Sequence, residues 1–234
     1  MDASDASKIL AVCVVAELYE HDRKFGELEE LMRKVLKGDG GNCREVQMAA
    51  LYYTMNSLGW QGRFQESKYA EFRLGKLAGP GVELQLPSEG TGFLQVSVTF
   101  SMYGACAKAA GLHKDAEELF RKALKAHEDG GLTGSYDIVW ALHEMGVCAR
   151  EARRLGEAEM LFKRAQEILE AKLGRDDVQV AVTLHEMGVC AREARRLGEA
   201  EMLFKRALEI KEAKLGRDDV QVAVTLHEMG VCVR

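Results

Sequence analysis

Two residue types able to do chemistry recur at a constant interval. His143, His185 and His227 stand 42 residues apart, and so do Cys106, Cys148, Cys190 and Cys232. Histidine can ligate a metal or titrate near neutrality. Cysteine can hold zinc, cross-link, or attack as a thiolate. The spacing argues against each role. Side chains one 42-residue unit apart cannot converge on one ion at about 2 Å ligand distance. The run His143-Glu-Met-Gly-Val-Cys148 lacks the second histidine of His-Glu-x-x-His, and no Cys-x-x-Cys pair occurs. Cysteines at a fixed period mark a repeat, not a disulfide framework. All six, Cys13 and Cys43 included, are therefore expected to be buried, reduced and apolar in role. No metal site and no cofactor are expected.

Catalytic constellations are equally absent from the pattern. No serine sits in Gly-x-Ser-x-Gly, and no Gly-x-x-x-x-Gly-Lys-Ser/Thr loop is present. Gly38-Asp-Gly-Gly41 reads as a linker between helices. The expectation is a protein that is not an enzyme. Its formal net charge of −5 lacks the clustered basic surface that phosphate neutralisation requires, so nucleic acid is not an expected partner. The apolar run at residues 9–16 meets Glu17 at once, too early for a signal peptide or a membrane span. A cytoplasmic chain with no membrane partner is the expectation.

What must position the histidines and cysteines is a helical repeat. Only 2 residues are proline, while Ala, Leu, Glu, Lys and Arg, all good helix formers, abound. Residues 142–183 and 184–225 differ only at Gln166/Leu208 and Leu169/Lys211, and a further copy opens at Leu226. One period upstream, Gly104, Cys106, Ala116, Phe120 and Ala123 fall on Gly146, Cys148, Ala158, Phe162 and Ala165. Further back the match weakens. Arg63-Phe64-Gln65-Glu66-Ser67 and Lys24-Phe25-Gly26-Glu27-Leu28 resemble Arg196-Leu197-Gly198-Glu199-Ala200. The expected organisation is two divergent repeats over 1–79, a loop at 80–92, and three repeats plus a half over 93–234, forming one continuous solenoid.

Each repeat reads as a helical hairpin. Leu184, Met187, Gly188 and Ala191 fall at i, i+3, i+4 and i+7, one helix face. Gly188 would let a neighbouring helix approach closely. Residues 197–199 are expected to turn the chain into a second helix with Ala200, Leu203, Phe204, Ala207 and Ile210 on its apolar side. Gly216 ends that helix, and Asp218 or Asp219 caps the next. One such hairpin cannot bury its own apolar face, but stacked hairpins can. The fold class expected is therefore an all-α solenoid.

The pattern Gly188, Ala200, Phe204, Ala207 resembles the tetratricopeptide repeat, and the 42-residue period with the long run 200–216 resembles its kinesin light chain subclass. The resemblance implies a right-handed α-solenoid whose first helices line a concave surface. On that surface it places Trp140, His143, Val147, Arg150 and Glu151 from one repeat, and Val182, His185, Val189, Arg192 and Glu193 from the next. The last half repeat adds Val224, His227, Val231 and Arg234, and the diverged one adds Val98, Ser101, Ala105 and Lys108. A groove so lined has an apolar floor and a column of cations, suited to an acidic peptide. The rival view is that Arg150 and Glu151 are solvated helix positions copied by duplication. Leu184-His185-Glu186-Met187-Gly188 stands where the subclass has Leu-Asn-Asn-Leu-Ala, so the subclass's cargo and motor roles are not carried over. Two further expectations concern context. The array can serve as the regulatory or oligomerisation arm of a larger sensor ATPase or enzyme. Its last half hairpin, with Val224, Met229 and Val231 lacking cover, marks either a fragment or a self-associating end.

Overall fold

The computed structural model describes residues 24–37, 44–60, 63–78, 93–109, 111–131 and 136–232, with scattered positions before 24. Ten helices and no strand occur among the described residues. They are α1 (Phe25–Lys37), α2 (Arg44–Trp60), α3 (Phe64–Ala78), α4 (Phe93–Ala109), α5 (His113–Asp129), α6 (Tyr136–Glu151), α7 (Leu155–Leu173), α8 (Val178–Glu193), α9 (Leu197–Leu215) and α10 (Val220–Cys232). None is long and apolar enough to cross a membrane among the described residues. The helices group into two compact units, Met1–Ala141 and Leu142–Arg234, the division falling inside α6. In the second unit α7 packs on α8, α8 on α9 and α9 on α10, the stacking of an α-solenoid. The expected linkers at 38–41 and 80–92, and Cys13 and Cys43, lie outside the described residues.

In the first unit α1 packs on α2, α2 on α3, α3 on α4, and α4 on α5. Leu28, Met32, Met48, Tyr52, Tyr53, Met55, Leu74 and Phe120 are almost wholly buried. The Phe25 ring meets Tyr136 edge-on, with centroids 5.9 Å apart.

One joint recurs through the hairpins. The ring of Phe204 lies so close to Gly188 that a Cβ there would sit 2.8 Å from it. The same holds for Phe162 over Gly146, at 2.7 Å, and in the first unit for Phe120 over Gly104, at 2.8 Å. Glycine on the first helix and a ring on the second are thus one device, written in two places 16 residues apart. On its other side the ring meets the next repeat. Phe162 clusters with Ala149, Ala158 and Cys190, and Phe204 with Ala191, Ala200 and Cys232. That explains the period of the cysteines. Cys190 and Cys232 fill the seam between repeats, and Cys106 and Cys148 are buried as well. Burial pushes the Cys106 and Cys190 thiols up to about 12, far from a reactive thiolate.

The punctuation is partly as the residues announce. Asp177 and Asp219 cap α8 and α10, accepting from the backbone N–H of Gln179 at 3.0 Å and Gln221 at 2.8 Å. Gly174 and Gly216 close α7 and α9 with φ of 84° and 88°. The connection inside the hairpin differs from the expectation. Residues 197–199 are the first turn of α9, and the reversal is made by 194–196, where Arg195 has φ of 64°. Arg153 does the same at 63°, and the equivalent first-unit position is Gly111 at 77°. An alternating apolar pattern cannot reveal a left-handed residue when an arginine occupies it.

Candidate functional site

The sequence-derived groove residues are divided between the two units. Val98, Ser101, Ala105, Lys108 and Trp140 belong to the first, and the rest to the second. Trp140 is half-buried, and its indole N–H has no hydrogen-bond partner among the described residues. Val98, Ser101 and Ala105 were expected on the same surface. They are buried at 2%, 0% and 1% exposure, so they pack the first unit and line no groove. The hydrophobic face of α4 is engaged from several sides, which its sequence alone does not disclose.

In the second unit the first helices present a charge ladder. Arg150 on α6 lies 3.5 Å from Glu186 on α8 and 3.5 Å from Glu193 at the end of the same helix. Arg153 joins Glu193 at 2.7 Å. One repeat on, Arg192 pairs with Glu228 at 3.0 Å. The side chains of Arg150 and Glu186 are 22% and 21% exposed. Their facing Nε and Oε2 atoms are buried and make no aligned hydrogen bond, and the same is true of Arg192 and Glu228. The attraction is therefore coulombic, at low exposure, between successive repeats. Of the three cations expected in a column, Arg150 and Arg192 are each balanced by a glutamate from the following repeat. Glu186 and Glu228 escaped the sequence reading, although their offset of 36 residues from Arg150 and Arg192 is constant.

The histidines do not act together. His143 and His185 each set a ring edge-on to the phenylalanine of their own hairpin, at 5.5 Å to Phe162 and 5.4 Å to Phe204. His227 is exposed. His185 also lies 3.3 Å from the Thr225 hydroxyl. That hydroxyl donates to the Gln221 carbonyl at 2.8 Å, so Nδ1 of neutral His185 is the donor in their contact. Thr225 further accepts from the ammonium of Lys211 at 3.1 Å. Burial, then the neighbouring charges of Lys211, Arg150 and Arg192, hold His185 down at about 3. Burial also draws Lys211 down to about 8, against the opposing pull of Glu186 and Asp219. Of the remaining expected positions, Val147 and Val182 are half-buried, Val189 is buried at 8% exposure, and Glu151 is exposed.

Two features had no signal in the sequence. The first is a Ser–His–Asp set in the first unit. The Ser97 hydroxyl contacts Nδ1 of His127, whose Nε2 faces Asp137 at 3.8 Å, and Asp137 accepts from Tyr52 at 3.1 Å. All four side chains are at most 1% exposed. A hydroxyl sealed from solvent meets no substrate, and Ser97 also bonds the Ala123 carbonyl at 3.0 Å. The set joins α2, α4, α5 and the start of α6 as a buried polar clasp. The second is a depression of about 380 Å³ among α7, α8 and α9, lined by Met160, Met187 and Leu203 with Glu159, Lys163 and Glu199. None of the predicted groove residues lines it.

A family model described as tetratricopeptide repeat matches residues 137–213 and 179–234. No curated protein matches the chain in sequence. Among solved structures, the chain is similar in fold to BtubC (BKLC) from P. vanneervenii, with a TM-score of 0.59 at 17% identity, over 99% of this chain and 84% of that one. It is also similar to a putative kinesin light chain of Podosopora anserina with nearly identical TPR-like repeats, with a TM-score of 0.46 at 15% identity, over 91% of this chain and 98% of that one.

Proposed function

We propose that the chain is a protein-interaction scaffold whose second unit holds an acidic peptide along its first helices, a reading supported by the match of residues 137–234 to the tetratricopeptide repeat model. The observation that carries this reading is the ladder of Arg150 and Arg192. Each arginine uses only part of its five-donor fork on glutamate, at separations too long or too oblique for well-made hydrogen bonds. A ligand carboxylate can take the remaining donors in the planar geometry that suits a guanidinium. Glu186, Glu193 and Glu228 then act as a filter, because a ligand must offer better-aligned carboxylates than the scaffold's own. Val147, Val182 and Val189 are the apolar positions of the reading, and His143, His185 and His227 its polar ones. The cytoplasm is the compartment proposed, in keeping with thiols that stay reduced.

The test is capture of partners from cytosol by the wild-type chain and by an Arg150→Met/Arg192→Met variant, followed by titration of the captured segment as a peptide. Methionine keeps the apolar stem and avoids placing a new glutamate beside Glu186 and Glu193. Loss of a specific acidic peptide in the variant is the expected result. Equal retention by both proteins would remove the ladder from the binding site. A second reading, an association arm within a larger assembly, is favoured by Val220, Val224, Leu226 and Val231 on α10, which are 43% to 62% exposed. Light scattering over a concentration series tests self-association directly.

A further inference from the structure

A hollow floored by one first helix and walled by two second helices occurs in each unit. In the second unit it is the depression among α7, α8 and α9. In the first unit two hollows, of about 410 and 360 Å³, share Leu36, Leu51 and Arg73, so they form one trough among α1, α2 and α3. Its floor is Leu51, Thr54 and Leu58 of α2, spaced i, i+3 and i+7, with Leu36 from α1. Its wall is Tyr69, Ala70 and Arg73 of α3, with Lys76 three residues on. Leu51 and Leu58 are buried, whereas Tyr69 is 65% exposed. An aliphatic floor beneath an exposed ring is the make-up of a pocket that receives a partner's side chain.

The charges on the rim differ between the units. The run 63–67 matches 196–200, which sets Arg73 on Arg206 and Lys76 on Glu209. In the second unit Arg206 is met by Asp176 and, at 3.4 Å, by Glu209. In the first unit neither Arg73 nor Lys76 meets a carboxylate among the described residues. The Lys76 ammonium lies over the Phe72 ring instead, 4.9 Å from its centroid. The carboxylates beside the trough are already engaged. Glu66 pairs with Arg63 at 2.7 Å, and Glu29 with Arg33 and Arg63 at 2.7 and 2.5 Å. The trough therefore has an apolar floor and an unbalanced positive rim.

We propose that this trough binds a short peptide segment in which a leucine or an aromatic residue is flanked by aspartate or glutamate. The apolar side chain enters over Leu51 and Leu58 beside Tyr69. The flanking carboxylates take the planar fork of Arg73 and the ammonium of Lys76. Charge complementarity selects this occupant, and the second unit displays its chemistry, since Asp176 and Glu209 fill the same place around Arg206. The site uses residues of the first unit alone. It stands whether or not the ladder of Arg150 and Arg192 binds a peptide.

The experiment selects random dodecapeptides displayed on phage against the full chain carrying Arg150→Met and Arg192→Met, so that binders of the ladder drop out. The leading sequence is then titrated as a fluorescent peptide and followed by anisotropy. Enrichment of aspartate and glutamate around a leucine or an aromatic residue is expected. Binding should weaken about tenfold or more with Lys76→Glu, which reverses a charge on the rim and gives Arg73 the partner that Arg206 already has. Lys76 is an exposed helix position where the second unit carries glutamate, so the variant folds, and circular dichroism confirms it. Arg206→Met should leave the affinity unchanged. Selection that yields no binder, or binders without acidic residues, would overturn the proposal. So would an affinity untouched by Lys76→Glu. Self-association seen by light scattering and abolished by Lys76→Glu would assign the trough to a second copy and also overturn it.

Discussion

Lys211 offers the sharpest test of these energetics, because the chain carries its own control. Lys211 is 3% exposed in α9, and its repeat equivalent in α7 is Leu169, at 1%. The two facing threonines, Thr225 and Thr183, are likewise buried, and each donates to a carbonyl of its own helix. Lys211→Leu therefore restores an arrangement the fold already accommodates, and the Thr225 hydroxyl keeps its bond to Gln221 at 2.8 Å. Burial lowers the Lys211 ammonium from 10.5 to about 8. At about 1.4 kcal/mol per unit, the folded state holds the charged lysine at a cost of about 3 kcal/mol. The sign follows from the direction of the shift. The depressed amine disfavours folding throughout pH below 8, and the penalty fades as pH rises from 8 to 10.5, where the unfolded lysine also loses its proton. At pH 7, Lys211→Leu should stabilise the α9–α10 pair by about 3 kcal/mol, seen as roughly hundredfold slower hydrogen exchange of α10 amides. Guanidinium unfolding should show wild type gaining on the variant between pH 8 and 10.5. A neutral or destabilising effect at pH 7, with no pH trend, would refute the reasoning and mean that the Lys211 contacts with Thr225, Glu186 and Asp219 outweigh its burial.

Three further outcomes follow from the same geometry. Gly188→Ala should destabilise by about 1–3 kcal/mol, since its Cβ would overlap the Phe204 ring, whereas Gly230→Ala should be neutral or stabilise by up to about 1 kcal/mol; denaturant midpoints measure both. Arg195→Gly should stabilise by about 1 kcal/mol, because Arg195 holds φ of 64° where the first unit uses Gly111, and the thermal midpoint reports it. His185, held at about 3 against 6.5 when unfolded, should make the fold lose stability as pH falls below 6.5, by about 2 kcal/mol at pH 5, and His185→Gln should flatten that slope in denaturant titrations. No such loss is expected above pH 6.5, where the histidine is neutral in both states.

The difference between α8 and α10 shows where sequence and structure part. Both have the same thirteen residues from Val178 and Val220, yet Leu184 is buried and Leu226 is half in solvent. Composition and the 42-residue period determined that the chain is helical, that its helices pair, and that Gly188 receives a close neighbour, because propensity and spacing are local properties repeated often enough to read. Capping near Asp219 was legible for the same reason, though the choice between Asp218 and Asp219 was left to the structure. The tertiary structure alone decided which charges meet. Arg150 finds Glu186 and Arg192 finds Glu228 because the following repeat is laid alongside, so a row of arginines becomes a balanced ladder. It alone gathered Ser97, His127, Asp137 and Tyr52 from four helices and sealed them from solvent. It also turned the exchange of Leu169 for Lys211, two letters in a duplication, into a buried ammonium. Burial and ion pairing depend on what lies across the seam between hairpins, and no periodicity within a single helix carries that information.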